Sequence, residues 1–150
     1  MTQLQPPRRR EDIDMSIFGP SHVRAYQETN GDKGHIWNGT TILLLTTKGH
    51  KSGQMRTTPL IFVQDGDAVV VIASKGGAPE HPDWYLNLQA HPRVKVQIKG
   101  DVFDATVRTA GGAERARLWD AAVKAWPLYA DYQAATDREI PVVVLERVRG

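Results

Sequence analysis

Short apolar segments alternate with polar turns along most of this chain. Residues 42–47 and 68–74 are continuous apolar runs, which are typical of strands buried on both faces. Residues 94–98 alternate apolar and polar side chains, which indicates a strand with one buried and one solvated face. A Lys-Gly turn follows, and we expect residues 102–108 to return as the hairpin partner of that strand.

A second hairpin precedes this one. Residues 56–63 are predicted to form a strand that bends at Pro59, because proline is tolerated at an edge or a bulge. Asp65-Gly66 is a strong hairpin turn signal and joins this strand to the next. A last strand is predicted at residues 141–145. Since hairpins pair their strands antiparallel, the pattern predicts about six antiparallel strands in a sheet that curls or closes into a barrel.

Helical patterns are short and few. Residues 15–29 hold at most one short helix, which starts near Pro20, and residues 83–90 have apolar side chains at helical spacing. A longer helix is predicted at residues 112–125 and a short one at residues 129–135. The fold class is therefore predicted to be mostly β (α+β), with helices packed outside the barrel or over one end.

Composition limits the class of protein. A chain of 150 residues with 41% apolar and 24% charged residues is typical of one globular domain, which we place at residues 15–150. The net charge of +2 is too small for a general nucleic-acid binder. The chain has no cysteine, which excludes disulfides, and its histidines lack zinc-site spacing, so no metal is predicted. Without a signal or membrane-spanning pattern, a cytoplasmic protein is expected.

The first 14 residues are polar and contain two prolines, so we predict a flexible tail there. Arg8, Arg9 and Arg10 are adjacent in it. They are interpreted as solvated charges or as a weak contact with an anionic membrane surface, which would place the protein peripherally at the inner face of the cell membrane.

Cations and glycines are concentrated in one part of the chain. No carboxylate lies between Asp32 and Asp65, and all charged residues of that window are cations: Lys33, Lys48, Lys51 and Arg56. Gly49 and Gly53 let the backbone come close to a ligand, and the hairpin is expected to return Lys75 toward Arg56. The pattern favours an anionic ligand, and the alternative is a solvated basic loop.

Aromatic residues form a second group, at Trp126, Tyr129 and Tyr132. Their spacing of three places them near one face of a helical segment. They are interpreted either as a core stripe or as the wall of a pocket for a flat ligand, in which a tyrosine hydroxyl donates a proton.

Four motifs in order carry a family resemblance: LLLTTKGHKSGQMRTTPLIFV, VVIASKGG, HPDWYLNLQAHPRVKVQI and REIPVVVLERV. Over about residues 22–148 the chain closely resembles the deazaflavin-dependent nitroreductase family. The resemblance implies a split β-barrel. It also implies an oxidoreductase that transfers a hydride from reduced deazaflavin coenzyme F-420 to a quinone, a nitroaromatic compound or an activated alkene.

The resemblance also implies site residues. Those implied to bind the cofactor are Lys48, Lys51, Ser52, Gly53, Arg56, Pro59, Ala73, Ser74, Lys75, Gly76, Gly77, Trp84, Asn87 and Leu88. Those implied to line the substrate pocket are Ile61, Trp126, Tyr129 and Tyr132, and those implied to be catalytic are Tyr129, Tyr132 and Ser74. The nitroreductases of the family usually have a tyrosine at the position of Trp126 and an aromatic residue at that of Ile61, so the substrate side of this chain differs from theirs.

Two other interpretations stay open from the sequence. One is an oxidoreductase that uses flavin mononucleotide (FMN) on the same barrel. It would need a single phosphate site, so the several cations favour the longer anionic tail of the deazaflavin. The other is a non-catalytic carrier of a flavin-like or lipid-like ligand. The sequence predicts a small-molecule hydride acceptor without naming it, and it leaves the oligomeric state open.

Overall fold

The computed structural model describes residues 5–148 of the chain. Seven strands and four α-helices follow in the order α1 (Pro20–Thr29), β1 (Ile36–Trp37), β2 (Thr40–Lys48), β3 (Met55–Asp65), β4 (Ala68–Ile72), α2 (Asp83–Ala90), β5 (Arg93–Ile98), β6 (Asp101–Thr109), α3 (Gly112–Ala125), α4 (Leu128–Ala134) and β7 (Val142–Arg147). The helices and strands predicted from the sequence are all present, and β1 is an addition.

Six of the strands close into an antiparallel barrel. The order along the sheet is β1-β2-β3-β4-β7-β6-β5, and β2 also pairs with β5, so β2 to β7 form a ring with β1 attached outside it. Every pairing is antiparallel. The predicted mostly-β class and the β-barrel are therefore confirmed.

Strand β4 has two buried faces, which explains its continuous apolar sequence. Val69 and Val71 point into the barrel and pack in the interior cluster with Leu45 and Val143. Val70 and Ile72 belong to a second cluster, which packs the outside of the barrel against α3 and α4. A strand covered on both sides has no need of the alternation that a half-solvated strand shows.

The barrel is split along part of β3. Residues 55–61 of β3 pair with β2, from Lys48↔Met55 to Ile42↔Ile61, whereas β4 pairs with β3 only from Phe62 onward. The ladder with β2 continues through Pro59, which tolerates this position because β3 has one partner there. The side of β3 that faces away from β2 is therefore open at residues 55–61.

Part of the expected flexible tail is packed against the barrel. A short 3₁₀ helix spans Arg10–Asp12, and the backbone N–H of Asp14 donates to Asn38 Oδ1 at 2.7 Å. A Cβ on Gly39 would lie 2.4 Å from the backbone of Gln5, so the chain passes close there. Residues 1–4 of that tail lie outside the described residues.

Within residues 5–148, the helices are all too short or too polar to cross a membrane. The same residues contain no group of three or more histidine, aspartate or glutamate side chains that could hold a metal ion.

Candidate functional site

An apolar cleft of about 330 Å³ opens where β3 and β4 separate. Nine of the predicted site residues line it: Pro59, Ile61, Ser74, Lys75, Gly76, Trp84, Trp126, Tyr129 and Tyr132. The split of the barrel thus brings together three parts of the chain that the sequence motifs had identified separately.

The N-terminal segment forms a wall of this cleft that the sequence analysis missed. Ile13, Met15 and Phe18 line it, and Met15 and Phe18 remain 49% and 59% exposed. Large apolar side chains in an otherwise polar segment were the available signal. Their exposure leaves an apolar surface for a ligand at the mouth of the cleft.

The opposite wall comes from the junction of α3 and α4. The Trp126 ring stacks on Trp37 with centroids 5.6 Å apart and an angle of 23° between the planes. The indole N–H of Trp126 donates to the Tyr132 hydroxyl at 3.4 Å. Trp126 and Tyr132 are buried, Trp37 is half-buried, and all three line the cleft. Residues of the predicted core stripe therefore also form the pocket wall.

Tyr129 has a hydroxyl suited to donate to a ligand. Burial raises the pKa of Tyr129 well above its ordinary value, with a smaller contribution from Tyr132. The phenol therefore stays protonated throughout the neutral range. Among residues 5–148 its hydroxyl has no hydrogen-bond partner, although it lines the cleft. The Tyr129 hydroxyl can therefore donate a hydrogen bond to a ligand oxygen in the cleft.

A second, more polar cleft lies further along the open part of β3. It has a volume of about 560 Å³ and is lined by Thr47, Met55, Arg56, Thr57, Thr58, Asp83, Trp84 and Asn87. Trp84 lines both clefts. The two clefts therefore adjoin at one indole ring, which suits a ligand with a flat ring at one end and a polar tail at the other.

The loop between β2 and β3 is shaped by its own backbone and by Asn87. Gly49 N–H donates to Gln54 O at 2.7 Å, and Gly53, at φ +72°, donates to Gly49 O at 2.9 Å. Asn87 Oδ1 accepts from the backbone N–H of His50 at 2.9 Å and lies 2.6 Å from its Nδ1. The amide of Asn87 also donates to Thr47, so this residue, predicted as a cofactor contact, holds the loop in place.

The predicted cations of this loop are exposed. Lys48, Lys51 and Arg56 all face solvent, and Arg56 is the one that lines the polar cleft. The Ser52 hydroxyl accepts from the backbone N–H of Gln54 at 3.1 Å, which uses one of its lone pairs within the loop. Lys48 and Lys51 line neither cleft.

The segment after β4 has an unusual backbone. Ser74 is right-handed (φ −82°, ψ −39°), whereas Lys75 and Gly76 are left-handed (φ 46° and 63°). A right-handed residue followed by a left-handed one turns successive N–H groups to one concave side, called a nest. Among the described residues, the N–H groups of Ser74, Lys75 and Gly76 have no hydrogen-bond partner, and all three residues line the apolar cleft.

The hairpin does return Lys75 to the split, but not to the same cleft as Arg56. Lys75 lines the apolar cleft and its ammonium pairs with Glu80 at 3.2 Å, whereas Arg56 lines the polar one. A half-exposed ion pair of this kind is weak, so Lys75 can exchange Glu80 for an anionic ligand.

Three predicted cofactor contacts are buried and line neither cleft: Ala73, Gly77 and Leu88. A Cβ on Gly77 would lie 2.6 Å from the carbonyl oxygen of Tyr132, so Gly77 permits the segment to pack on α4. Leu88 belongs to the barrel interior. These three residues therefore pack beneath the residues that line the cleft and do not themselves face a ligand.

A split antiparallel barrel whose apolar cleft adjoins a polar cleft has the shape expected of a protein that binds a ligand with a flat ring and a polar tail. The family model described as F-420H(2)-dependent quinone reductase matches residues 20–147. The chain belongs to this family, and the family relationship predicted from the four motifs is confirmed.

Individual relatives carry similar descriptions. The chain is 42% identical over 130 residues to an F-420H(2)-dependent quinone reductase of Mycobacterium tuberculosis, a match that covers 84% of this chain and 87% of the relative. The solved structure of an F-420H(2)-dependent reductase (FDR-A) is 48% identical, with a TM-score of 0.65 and coverage of 70% of this chain and 93% of that one.

More distant structures share the fold alone. A heme storage protein of Vibrio cholerae, HutZ, is 14% identical and superimposes with a TM-score of 0.56 over 89% of this chain. The barrel by itself therefore does not determine the ligand.

Proposed function

We propose that this protein is a reductase that transfers a hydride from reduced coenzyme F-420 to a quinone. The observation that carries the proposal is the meeting of the two clefts at Trp84, with aromatic and apolar walls in one cleft and polar walls that include Arg56 in the other. Family membership gives the cofactor class and the reaction class, and the geometry supports a division of labour between the clefts.

The residues present fit the cofactor. The apolar cleft has flat aromatic walls for a ring system, and the nest formed by Ser74, Lys75 and Gly76 offers N–H donors to ring oxygens. Arg56 and Lys51 offer charge-assisted hydrogen bonds to the phosphate and carboxylates of the tail. When bound, the reduced coenzyme supplies a hydride from a ring carbon.

The quinone would enter over the mouth formed by Met15 and Phe18 and bind in the cleft that Tyr129 lines. The apolar walls would exclude water and orient the acceptor for hydride transfer. Negative charge then develops on the quinone oxygen. The protonated hydroxyl of Tyr129 can donate to that oxygen and stabilise the charge. Tyr132 and Ser74 lie in the same cleft as further donors.

An FMN-dependent oxidoreductase remains the second candidate among enzymes, since the barrel would hold that ring equally well. A terminal phosphate needs one anion site, whereas cations here extend from Arg56 along the exposed loop to Lys51 and Lys48. Cations spread over this distance favour the longer anionic tail of coenzyme F-420 over the single phosphate of FMN.

The test is a fluorescence titration with oxidised coenzyme F-420 and, in parallel, with FMN. Menadione is then added to the complex with the reduced coenzyme, and its reduction is followed. Tight binding of the deazaflavin with menadione turnover is the expected result. Absence of deazaflavin binding at tens of micromolar would refute the proposal, and binding without turnover would indicate a carrier.

We further propose that the protein acts in the cytoplasm and touches the inner membrane face weakly, where quinones dissolve. Arg8 and Arg9 are exposed, although Arg9 already pairs with Asp12 at 3.1 Å. Cosedimentation with anionic vesicles, and its loss in an Arg8→Ala/Arg9→Ala variant, checks this contact. Equal sedimentation with neutral vesicles would contradict an electrostatic contact.

A further inference from the structure

Arg138 lies behind the segment that carries the nest. This half-buried residue in the α4–β7 connection donates from Nε to Ala78 O at 2.8 Å, from Nη1 to Ala73 O at 3.2 Å and from Nη2 to Ser74 O at 2.8 Å. One guanidinium thus binds carbonyl oxygens at both ends of residues 73–78. The planar fork of arginine makes such a multiple contact possible, whereas a lysine has one point of charge.

His81 completes the environment of this guanidinium. Its Nδ1 lies 3.1 Å from Arg138 Nη1. An arginine can only donate, so Nδ1 of His81 accepts and the imidazole is neutral with its proton on Nε2. The His81 ring also packs on Tyr85, with centroids 4.9 Å apart. Each of the three nitrogens of the Arg138 guanidinium therefore donates to an acceptor of the protein.

The segment that Arg138 holds needs external support. Lys75 adopts a left-handed backbone at φ 46°, which is uncommon for a residue with a side chain. Such conformations persist where the surroundings over-determine them, and they are concentrated at ligand sites. Arg10 adds a hydrogen bond to Gly76 O from the opposite side and lies over the Tyr132 ring.

The hydrogen bonds to carbonyl oxygens determine which backbone groups of residues 73–78 are available to a ligand in the cleft. Arginines bind the carbonyl oxygens of Ala73, Ser74, Gly76 and Ala78. A carbonyl oxygen that accepts a hydrogen bond from one of these guanidinium groups points toward the arginine and away from the ligand. Among the backbone N–H groups of residues 73–78, those of Ser74, Lys75 and Gly76 are the ones without a partner in the described structure.

We infer that Arg138 is a positioning residue for the reaction: by binding the carbonyls of residues 73 and 74 it orients the N–H groups of Ser74 and Lys75, which share those peptide planes, and with its bond to Ala78 O it holds the whole nest as a donor to the ring oxygens of the cofactor. It acts through the segment and does not line either cleft. This inference deepens the proposed function and rests on it for the identity of the ligand.

The first test compares Arg138→Ala with Arg115→Ala. Arg115 is the control, because it is another partly buried arginine that lines neither cleft; it donates to Ile140 O at 2.7 Å, pairs with Glu139 at 3.0 Å and lies over the Trp119 ring. We expect Arg138→Ala to lower kcat with menadione by about 10- to 100-fold and to shift the absorbance band of bound deazaflavin toward that of the free cofactor. Arg115→Ala should leave both unchanged.

Chemical rescue separates positioning from a general loss of stability. Guanidinium ion at tens of millimolar should restore at least part of the kcat of Arg138→Ala, whereas ammonium should not. Arg138→Lys should behave like Arg138→Ala, because the three donors of an ammonium share one nitrogen and cannot span carbonyls that contact three separate guanidinium nitrogens. An unchanged kcat in Arg138→Ala, an equal loss in Arg115→Ala, or full activity of Arg138→Lys would overturn the inference.

A measurement without cofactor keeps the inference separate from the proposed function. The N–H groups of Gly77 and Ala78 donate to Ser74 O and Lys75 O at 2.9 and 3.1 Å. Their hydrogen exchange in the ligand-free protein should be at least about tenfold faster in Arg138→Lys than in wild type. Unchanged exchange would refute the role of Arg138, whereas faster exchange in a protein that binds no deazaflavin would refute only the proposed function.

Discussion

The two clefts along the split barrel are held and lined in different ways. The apolar cleft has buried aromatic walls from α3 and α4, whereas the polar cleft adjoins an exposed loop whose cations face solvent. Packing fixes side chains to within a narrow range, and exposed charges attract at a distance but are screened by salt. Under the proposed function, we expect the hydride transfer to take place in the apolar cleft and much of the cofactor affinity to come from the polar cleft and its loop.

The largest expected effect tests the apolar cleft. Tyr129→Phe removes the unpaired hydroxyl, and we expect kcat with menadione to fall by about 100-fold while the Kd for deazaflavin stays within about twofold. Tyr132→Phe is the comparison, since its hydroxyl already accepts from Trp126, and a loss below about tenfold is expected. Equal losses in both, or none, would remove the special role of Tyr129.

The second prediction concerns the polar cleft. Lys51→Ala with Arg56→Ala should raise the Kd for deazaflavin by about 10- to 100-fold at low ionic strength and make binding less dependent on salt. The value of kcat at saturation should change little. Lys33→Ala with Lys124→Ala removes two exposed lysines elsewhere and should leave Kd unchanged. A double variant at the loop that binds like wild type would place the tail site elsewhere.

The third prediction tests the junction between the nest segment and α4. Gly77→Ala combines a left-handed backbone at φ +85° with a Cβ only 2.6 Å from Tyr132 O, so a loss of about 2 kcal/mol of stability is expected. Gly66→Ala has a similar backbone at φ +59° but open space around it, so it should cost about 1 kcal/mol. Urea unfolding of both measures the difference, and equal losses would deny the close packing.

The smallest expected effect is a pH dependence. Burial lowers the pKa of His35 and of His81, and Arg138 adds to the lowering at His81. The unfolded chain therefore takes up protons first, below about pH 6.5. Stability is greatest above that pH and falls as the pH drops through the lowered folded-state pKa values. Urea unfolding between pH 7.5 and 5 should show this slope, and a His35→Gln/His81→Gln variant should flatten it. A rise in stability on acidification would refute it.

Most of the fold could be predicted because its signals are local. Turn residues and apolar periodicity identified six strands, and the helix at 83–90 matches α2 in both bounds. β4 was predicted two residues too long, since residues 73 and 74 are apolar or small, yet Ser74 turns away to form the nest. Two-residue β1 has too few positions to show any period.

The site was less predictable because it depends on contacts distant in sequence. Arg138 and the carbonyls it binds are 60 to 65 positions apart, and a single arginine in a connection carries no pattern. The stacking of Trp37 on Trp126 likewise joins two distant parts of the sequence, so it became visible only in the folded chain. The motifs supplied the residues, and the split between β3 and β4 supplied their arrangement.

The N-terminal wall of the apolar cleft has a further consequence. Ile13, Met15 and Phe18 precede residue 20, where the match to the family begins. The family match thus covers the barrel strands β2 to β7, whereas part of the mouth comes from residues that precede the matched range. Changes in those few side chains can alter which acceptor enters this cleft without disturbing the barrel.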